Sequence, residues 1–257
     1  MRAAKIEIIL RISTRFAQKI IFVSDMQIEP IAHIRTPFPE KFGVPRQSGL
    51  APDCPAEVVF EPDFALPDAV RGLEGFSHIW LIWGFSQAPW DGNLTVRPPR
   101  LGGNTRIGVF ASRSPFRPNS LAMSAVRLVR VDCNDGVVLH VAGADLVDGT
   151  PIFDIKPYIP YADCIAEARD GYTGPTKGHR LQVEFAPGVA DAIKSGEGID
   201  ADTLSQITQL LELDPRVSYD SDPEKVWGMS YGRYNVRFKV DGESATVVEI
   251  IQLPGKP

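Results

Sequence analysis

From Gln27 to about Asp163 the chain carries short apolar runs rich in β-branched and aromatic residues. They are Ile28–Ile34, Glu57–Phe60, His78–Phe85, Leu94–Arg97, Ile107–Ala111, Leu121–Val131 and Val137–Ala142. Gly, Pro, Asn and Asp separate them, the punctuation expected of strands and turns. The clearest hairpin joins Leu121–Val131 to Val137–Ala142 through Asp132-Cys133-Asn134-Asp135-Gly136, where Asp-Gly supplies positive-φ positions. No long amphipathic helix alternates with these runs, which disfavours a doubly wound parallel sheet. The pattern predicts a mainly β fold with an antiparallel, barrel-like sheet.

Glu167–Lys177 is polar and Gly-rich and reads as a linker. Beyond it the texture changes. Thr203-Leu204-Ser205-Gln206 has capping-box spacing and opens a helix carrying Leu204, Ile207, Leu210 and Leu211, stopped before Pro215. Tyr234, Val236, Phe238 and Val240 then alternate with Asn235, Arg237 and Lys239, a period of two, and Asp241-Gly242 turns this strand into Ala245–Leu253. The expected division is an N-terminal extension over 1–25, a β domain over 26–166 and a small α+β C-terminal domain over 178–257. No internal repeat or low-complexity tract is evident.

The 257 residues suffice for one medium domain plus a small one. Three cysteines, Cys54, Cys133 and Cys164, are far apart and form no Cys-x-x-Cys, which argues against a disulfide framework or a cysteine zinc site and suits a reducing cytoplasm. No apolar run approaches the roughly 20 residues that span a bilayer, so no membrane partner is expected. The first 25 residues place Arg2, Lys5, Arg11, Arg15 and Lys19 among Ile and Leu. Such a leader suits a targeting segment or a membrane-surface helix. A strand pattern begins just after Met26, which points instead to an upstream extension with Met26 as the start.

A net charge of −5 argues at first against a nucleic-acid partner. Its distribution changes that picture. Between Asp91 and Asp132 there is no acidic residue, yet Arg97, Arg100, Arg106, Arg113, Arg117, Arg127 and Arg130 all fall there. A locally basic stretch in an acidic protein is an anion-binding signature, and arginine suits bidentate grips on carboxylate or phosphate. Any one of these arginines can instead face solvent or pair with a distant carboxylate.

Within the stretch, Arg106–Ser120 sets two prolines, two further arginines, an aromatic and an amide in a rigid loop of the kind that carries function. Glu40–Leu50 and Val96–Asn104 are similar Pro/Gly-shaped loops. Downstream, Asp154, Lys156 and Tyr158 share one face if the chain is extended there, as Pro157 favours. That face is either an acid–base and stacking surface or a salt-bridged outer sheet. His78 and His140 sit inside apolar strands and read as core or half-buried imidazoles; with His33 and His179 they show no metal-ligand spacing, and no metal is implied. Gly196-Glu197-Gly198 lies in an acidic stretch, far from a dinucleotide-binding context.

Five strings, in order, closely resemble the TrmO family of S-adenosylmethionine-dependent tRNA methyltransferases: Lys41–Gln47, Ala69–Trp80, Arg97–Asn104, Gly108–Asn119 and Asp148–Tyr158. Leu213-Asp214-Pro215-Arg216 and Tyr231-Gly232 resemble its C-terminal domain. The resemblance implies a single-sheet antiparallel β-barrel that binds S-adenosylmethionine. It further implies methyl transfer to N6 of N6-threonylcarbamoyladenosine at position 37, in the anticodon loop of threonine tRNA, by a cytoplasmic homodimer. Donor-binding positions then fall on Gln47, Ser48, Gly49, Leu50, Gln87, Arg113, Met123, Ala142, Gly143, Ala144 and Asp145. Arg97, Arg100 and Arg117 are candidates for RNA phosphates, and Asp154, Lys156 and Tyr158 for catalysis at the acceptor, with Asp145 and Asp148 as alternative bases. Ser120-Leu121-Ala122-Met123 departs from the family's usual Pro-Ile-Gly-Met, removing a ring that would stiffen the loop. Two other readings remain: a sensor that holds the donor and RNA without turnover, and a methyltransferase acting on a small molecule.

Overall fold

The computed structural model describes residues 27–176, 178–196, 198–216 and 222–254, without the side chains of residues 100, 175 and 176. The expected extension over 1–25 and the side chain of Arg100 lie outside the described residues.

Six strands close into an antiparallel barrel: β1 (Ala32–Arg35), β2 (Pro55–Phe60), β3 (His78–Gly84), β6 (Leu121–Asp132), β7 (Val138–Ala142) and β8 (Pro151–Pro157). They run in the order β1-β2-β7-β6-β3-β8, and β8 pairs back onto β1. Closure removes the open edges that a free sheet would leave unpaired. The two-residue strands β4 (Thr95–Val96) and β5 (Ile107–Gly108) form a separate ribbon. Alternation decides which side chains fill the barrel: Ile79, Leu81 and Trp83 of β3 point in, as do Ser124, Val126 and Leu128 of β6. Trp80 and Ile82 are half-buried on the other face, beside exposed Met123.

The strand runs expected from the sequence recur with two differences. Residues 28–31 precede β1, and Val109–Ala111 is a 3₁₀ turn rather than the end of a strand. His78 lies on the exposed outer face and not in the core, because its neighbour Ile79 takes the inward position; His140 is half-buried and pairs with Glu57 at 3.5 Å.

A second sheet follows in the order β10-β11-β12-β9, from β9 (Gln182–Phe185), β10 (Trp227–Tyr231), β11 (Tyr234–Asp241) and β12 (Ser244–Gln252). Helices α1 (Pro187–Lys194) and α2 (Ala201–Glu212) accompany it. Helix α2 starts earlier than the Thr203 spacing predicts. Asp200 is its N-cap and accepts the Thr203 amide at 2.8 Å, so Thr203 stands a turn inside. Every second residue of β11 from Tyr234 to Val240 is buried. The core beneath this sheet also takes Phe38, Ala51 and Cys54 from the long connection between β1 and β2. Burial pushes the Cys54 thiol up to about 11, which makes it a small core hydrophobe rather than a nucleophile.

Candidate active site

The connections leaving one end of the barrel are long: β1 to β2, β3 to β6, and β7 to β8. They gather around the Gly84–Leu121 end of the β3–β6 pair and enclose a cavity of about 820 Å³. Trp80 and Ile82 of β3 and Met123 and Ala125 of β6 give it an apolar wall. Lys41, Arg46, Arg113 and Arg117 bring four cations, and Asp145 is its single carboxylate among the described residues.

Residues far apart in the chain interlock here. Arg113 Nη1 donates to Gln47 Oε1, Gln47 Nε2 donates to the Arg46 carbonyl, and Lys41 Nζ donates to the Gln87 carbonyl at 2.7 Å. Gly49 and Gly143 both have positive φ, and the Gly49 amide donates to the Gly143 carbonyl at 2.8 Å. A Cβ on Gly143 would stand 3.4 Å from the Gly49 backbone, so two bare backbones make this contact. The Gly143 amide in turn donates to the Cys54 carbonyl at 3.0 Å. The loop bearing Gln47–Leu50 is thereby seated on the one that follows β7.

Asp145 anchors a buried polar chain. Trp83 Nε1 donates to Ser124 Oγ at 3.0 Å, and Ser124 Oγ donates to Asp145 Oδ1 at 2.5 Å. Burial raises the Asp145 carboxyl above the ordinary carboxylate range. The Ser124 hydroxyl, the backbone amides of Asp145 and Ser48, and the Arg113 charge pull it back down.

Of the residues singled out from the sequence, Gln47, Ser48, Gln87, Arg113, Arg117, Met123 and Asp145 line this cavity. Gly49, Leu50, Ala142, Gly143 and Ala144, also expected there, do not line it; Ala142 and Ala144 are buried. Asp154, Lys156 and Tyr158 do not line it. They lie one strand away: Asp154 is opposite Ile82, Lys156 is opposite Trp80, and the Tyr158 ring is 5.5 Å from that of Trp80. Asp154 Oδ2 accepts from Lys156 Nζ at 2.9 Å, and both side chains are about half exposed or more. Asp148 instead accepts the Thr36 amide at 3.0 Å.

The arginine stretch divides. Arg113 and Arg117 reach the cavity, and Arg97 is exposed just after β4. Arg127 bonds the Pro52 carbonyl at 3.4 Å, and Arg130 pairs with Asp132 at 2.8 Å, so these two serve the barrel wall. Ser124, Trp83, Trp80 and Ile82 were not singled out from the sequence. Ser124 carried a usable signal: a hydroxyl at an inward position of a strand whose neighbours on that face, Val126 and Leu128, are apolar. Among the described residues no group of three His, Cys, Asp or Glu could hold a metal ion.

A family model of the tRNA-methyltransferase O N-terminal domain matches residues 33–164, and one of the TrmO C-terminal domain matches 178–253. The tRNA (adenine(37)-N6)-methyltransferase of Escherichia coli K12 is 42% identical over 222 residues, covering 85% of this chain and 94% of that protein. A probable S-adenosyl-L-methionine-binding protein of Pyrococcus abyssi is 40% identical over 143 residues, covering 56% of this chain and 73% of its own length. The crystal structure of TrmO from Pseudomonas aeruginosa superposes with a TM-score of 0.72 at 33% identity, covering 88% of this chain and 97% of that one. With both family domains matched in order and a relative aligned over nearly its whole length, the chain belongs to the TrmO family.

Proposed function

We propose that this chain is an S-adenosylmethionine-dependent tRNA methyltransferase that methylates N6 of N6-threonylcarbamoyladenosine at position 37 of threonine tRNA. It does so as a cytoplasmic homodimer, with the donor site in the 26–166 domain and the 178–257 domain beside it. The observation that carries this reading is the cavity itself, in which one buried carboxylate and a guanidinium oriented by Gln47 share an apolar-walled space of about 820 Å³.

The residues present fit the donor. Its carboxylate suits Arg113, whose guanidinium Gln47 holds in place. Its cationic groups, the α-ammonium and the sulfonium, suit Asp145, the single anion of the cavity among the described residues, and its adenosine suits the wall of Trp80, Ile82 and Met123. When bound, S-adenosylmethionine supplies a methyl carbon already activated by a sulfonium. The protein's share is alignment and charge. Arg113 and Asp145 hold the charged amino-acid half of the donor, and the apolar wall keeps water from the transfer. On the acceptor side, carbamoylation makes the N6–H more acidic than in plain adenine, so a base near it contributes about 10²–10⁴-fold. Asp154 serves as that base, Lys156 meets a phosphate, and Tyr158 stacks on the flipped-out base. Arg97, Arg100 and Arg117 hold phosphates and fix the register of the RNA.

The test uses methyl-labelled donor with threonine tRNA bearing or lacking the threonylcarbamoyl group. Label entering only the carbamoylated tRNA is expected. Donor and tRNA binding without transfer would replace this reading with a sensor, and label entering only small molecules would replace tRNA as the substrate.

A further inference from the structure

The loop carrying Gln47–Leu50 has two sides. One lines the cavity through Lys41, Pro45, Arg46, Gln47 and Ser48, and the other rests on the second sheet. Across the described residues from Thr36 to Cys54 there is no helix or strand, so the ladder bonds of regular structure do not hold this segment. Its bonds come from elsewhere. Arg46 Nη2 donates to the carbonyls of Asp214 at 3.0 Å and Arg216 at 2.8 Å. At the far end of the loop, Arg180 Nη2 donates to the Leu50 carbonyl at 3.4 Å, and Gln209 Nε2 donates to Asp53 Oδ2 at 2.5 Å. These four bonds, all to residues 180–216, bracket Gln47–Leu50 and add to the Gly49–Gly143 bond that seats its middle.

The turn that receives Arg46 is itself braced. Asp214 has a φ of 48° and pairs twice with Arg216, Nε to Oδ1 at 2.8 Å and Nη2 to Oδ2 at 3.1 Å, with both side chains largely buried. This ion pair bends Leu213-Asp214-Pro215-Arg216 so that two carbonyls face one guanidinium. The loop is also pressed close to its support. Gly43 has a φ of 92°, and a Cβ there would stand 2.5 Å from Met229 Cγ of β10.

We infer that the Asp214–Arg216 turn is a clamp which, through Arg46, positions the Gln47–Leu50 loop and so sets affinity for the methyl donor. Arg46 and Asp214 are positioning residues: they act through Gln47 and Ser48, which orient Arg113 and Asp145. The inference rests on the reading of the cavity as the donor site.

The test is calorimetric titration of the full chain with S-adenosylmethionine, alongside its melting temperature and its tRNA affinity without donor. Arg46→Met removes both bonds, and Asp214→Gly removes the brace at a positive φ that glycine accepts. The donor Kd should rise roughly tenfold for Arg46→Met and severalfold for Asp214→Gly. The double variant should be no weaker than Arg46→Met alone, because both substitutions break one linkage. Gln209→Leu, on the other bracket, should also weaken donor binding and supplies the comparison if Asp214→Gly folds poorly. Tighter coupling to stability than to the donor, seen as lower melting temperatures at wild-type donor Kd, would overturn the clamp. So would an Arg46→Met protein that loses tRNA binding alone, since Arg46 would then be an RNA contact. A wild-type chain that fails to bind the donor would overturn the reading of the cavity itself, whereas variants that bind as wild type does would overturn only the clamp.

Discussion

Ser124→Ala probes the buried chain that holds Asp145. Ser124 is 2% exposed and Trp83 is 6% exposed. Removing the hydroxyl leaves the Trp83 N–H without an acceptor and deprives Asp145 Oδ1 of its 2.5 Å donor. A buried group left unsatisfied costs about 1–3 kcal/mol. Asp145 faces the cavity and recovers part of its loss from water there, so the expected destabilisation is about 2–4 kcal/mol. For a chain of this size that is a fall of about 4–16 °C in melting temperature. The cost should also depend on pH. The Ser124 bond favours the charged carboxylate, so its loss lifts the Asp145 carboxyl further above its unfolded value. A carboxyl raised on folding contributes stability that is full below the unfolded value and is lost as pH rises through the folded one. The gap between wild type and Ser124→Ala should therefore widen from acid to neutral pH. Adding Trp83→Phe, which removes the orphaned donor, should return part of the loss. Urea unfolding at a series of pH values decides it: a Ser124→Ala protein within about 0.5 kcal/mol of wild type throughout would show that the chain carries no such energy.

Other expectations concern the donor, the acceptor and the loop between β3 and β6. Arg113→Ala should raise the donor Kd about tenfold to a hundredfold, with Arg113→Lys rescuing only in part because an ammonium cannot reproduce the fork; calorimetric titration reads both. Asp154→Asn should slow single-turnover methylation by about two orders of magnitude while donor affinity stays within a few-fold. If it instead melts early and loses donor and tRNA together, the Asp154–Lys156 pair is structural. Ser120 has a φ of 50°; Ser120→Gly should relieve about 1 kcal/mol, and Ser120→Pro should destabilise because the ring locks φ near −65°. Thermal unfolding of the two variants reads the difference, and a stable Ser120→Pro would show that the loop adopts another course.

Period-two patterning made the strands legible, since β3, β6, β7 and β11 each bury one face against a core. It made Asp154 and Lys156 legible as neighbours on the solvent side, but their mutual bond at 2.9 Å depends on rotamers that alternation does not encode. The strand Trp227–Tyr231 went unseen because Gly228 and Ser230 interrupt its apolar residues. The structure makes it a strand because its partner β11 is strongly patterned and Met229 and Tyr231 complete the second core. The α2 cap was misplaced by three residues because Thr203 has a hydroxyl suited to the role; the Asp200 carboxylate took it, with Thr203 Oγ1 donating to Asp200 Oδ2 at 2.8 Å.

The cavity is a different kind of information. Gln47, Gln87, Arg113, Met123 and Asp145 lie on several separate connections and one strand, and only closure of the barrel brings them together. Their likeness to a family could be seen in sequence, but their mutual bonds could not. Arg113 finds Gln47 across 66 positions, and Arg46 finds Asp214 across 168. Ser124 was legible only in part. Its inward position beside Val126 and Leu128 marks it in the sequence, but its bonds to Trp83 and Asp145 exist only once the fold places those residues on either side of it. The same logic separates the arginines. In sequence they form one basic stretch, yet the fold sends Arg127 and Arg130 to the barrel wall and Arg113 and Arg117 to the cavity. Charge density along the chain therefore located the neighbourhood of the site, while the parity of each strand and the course of each loop decided which charges face it.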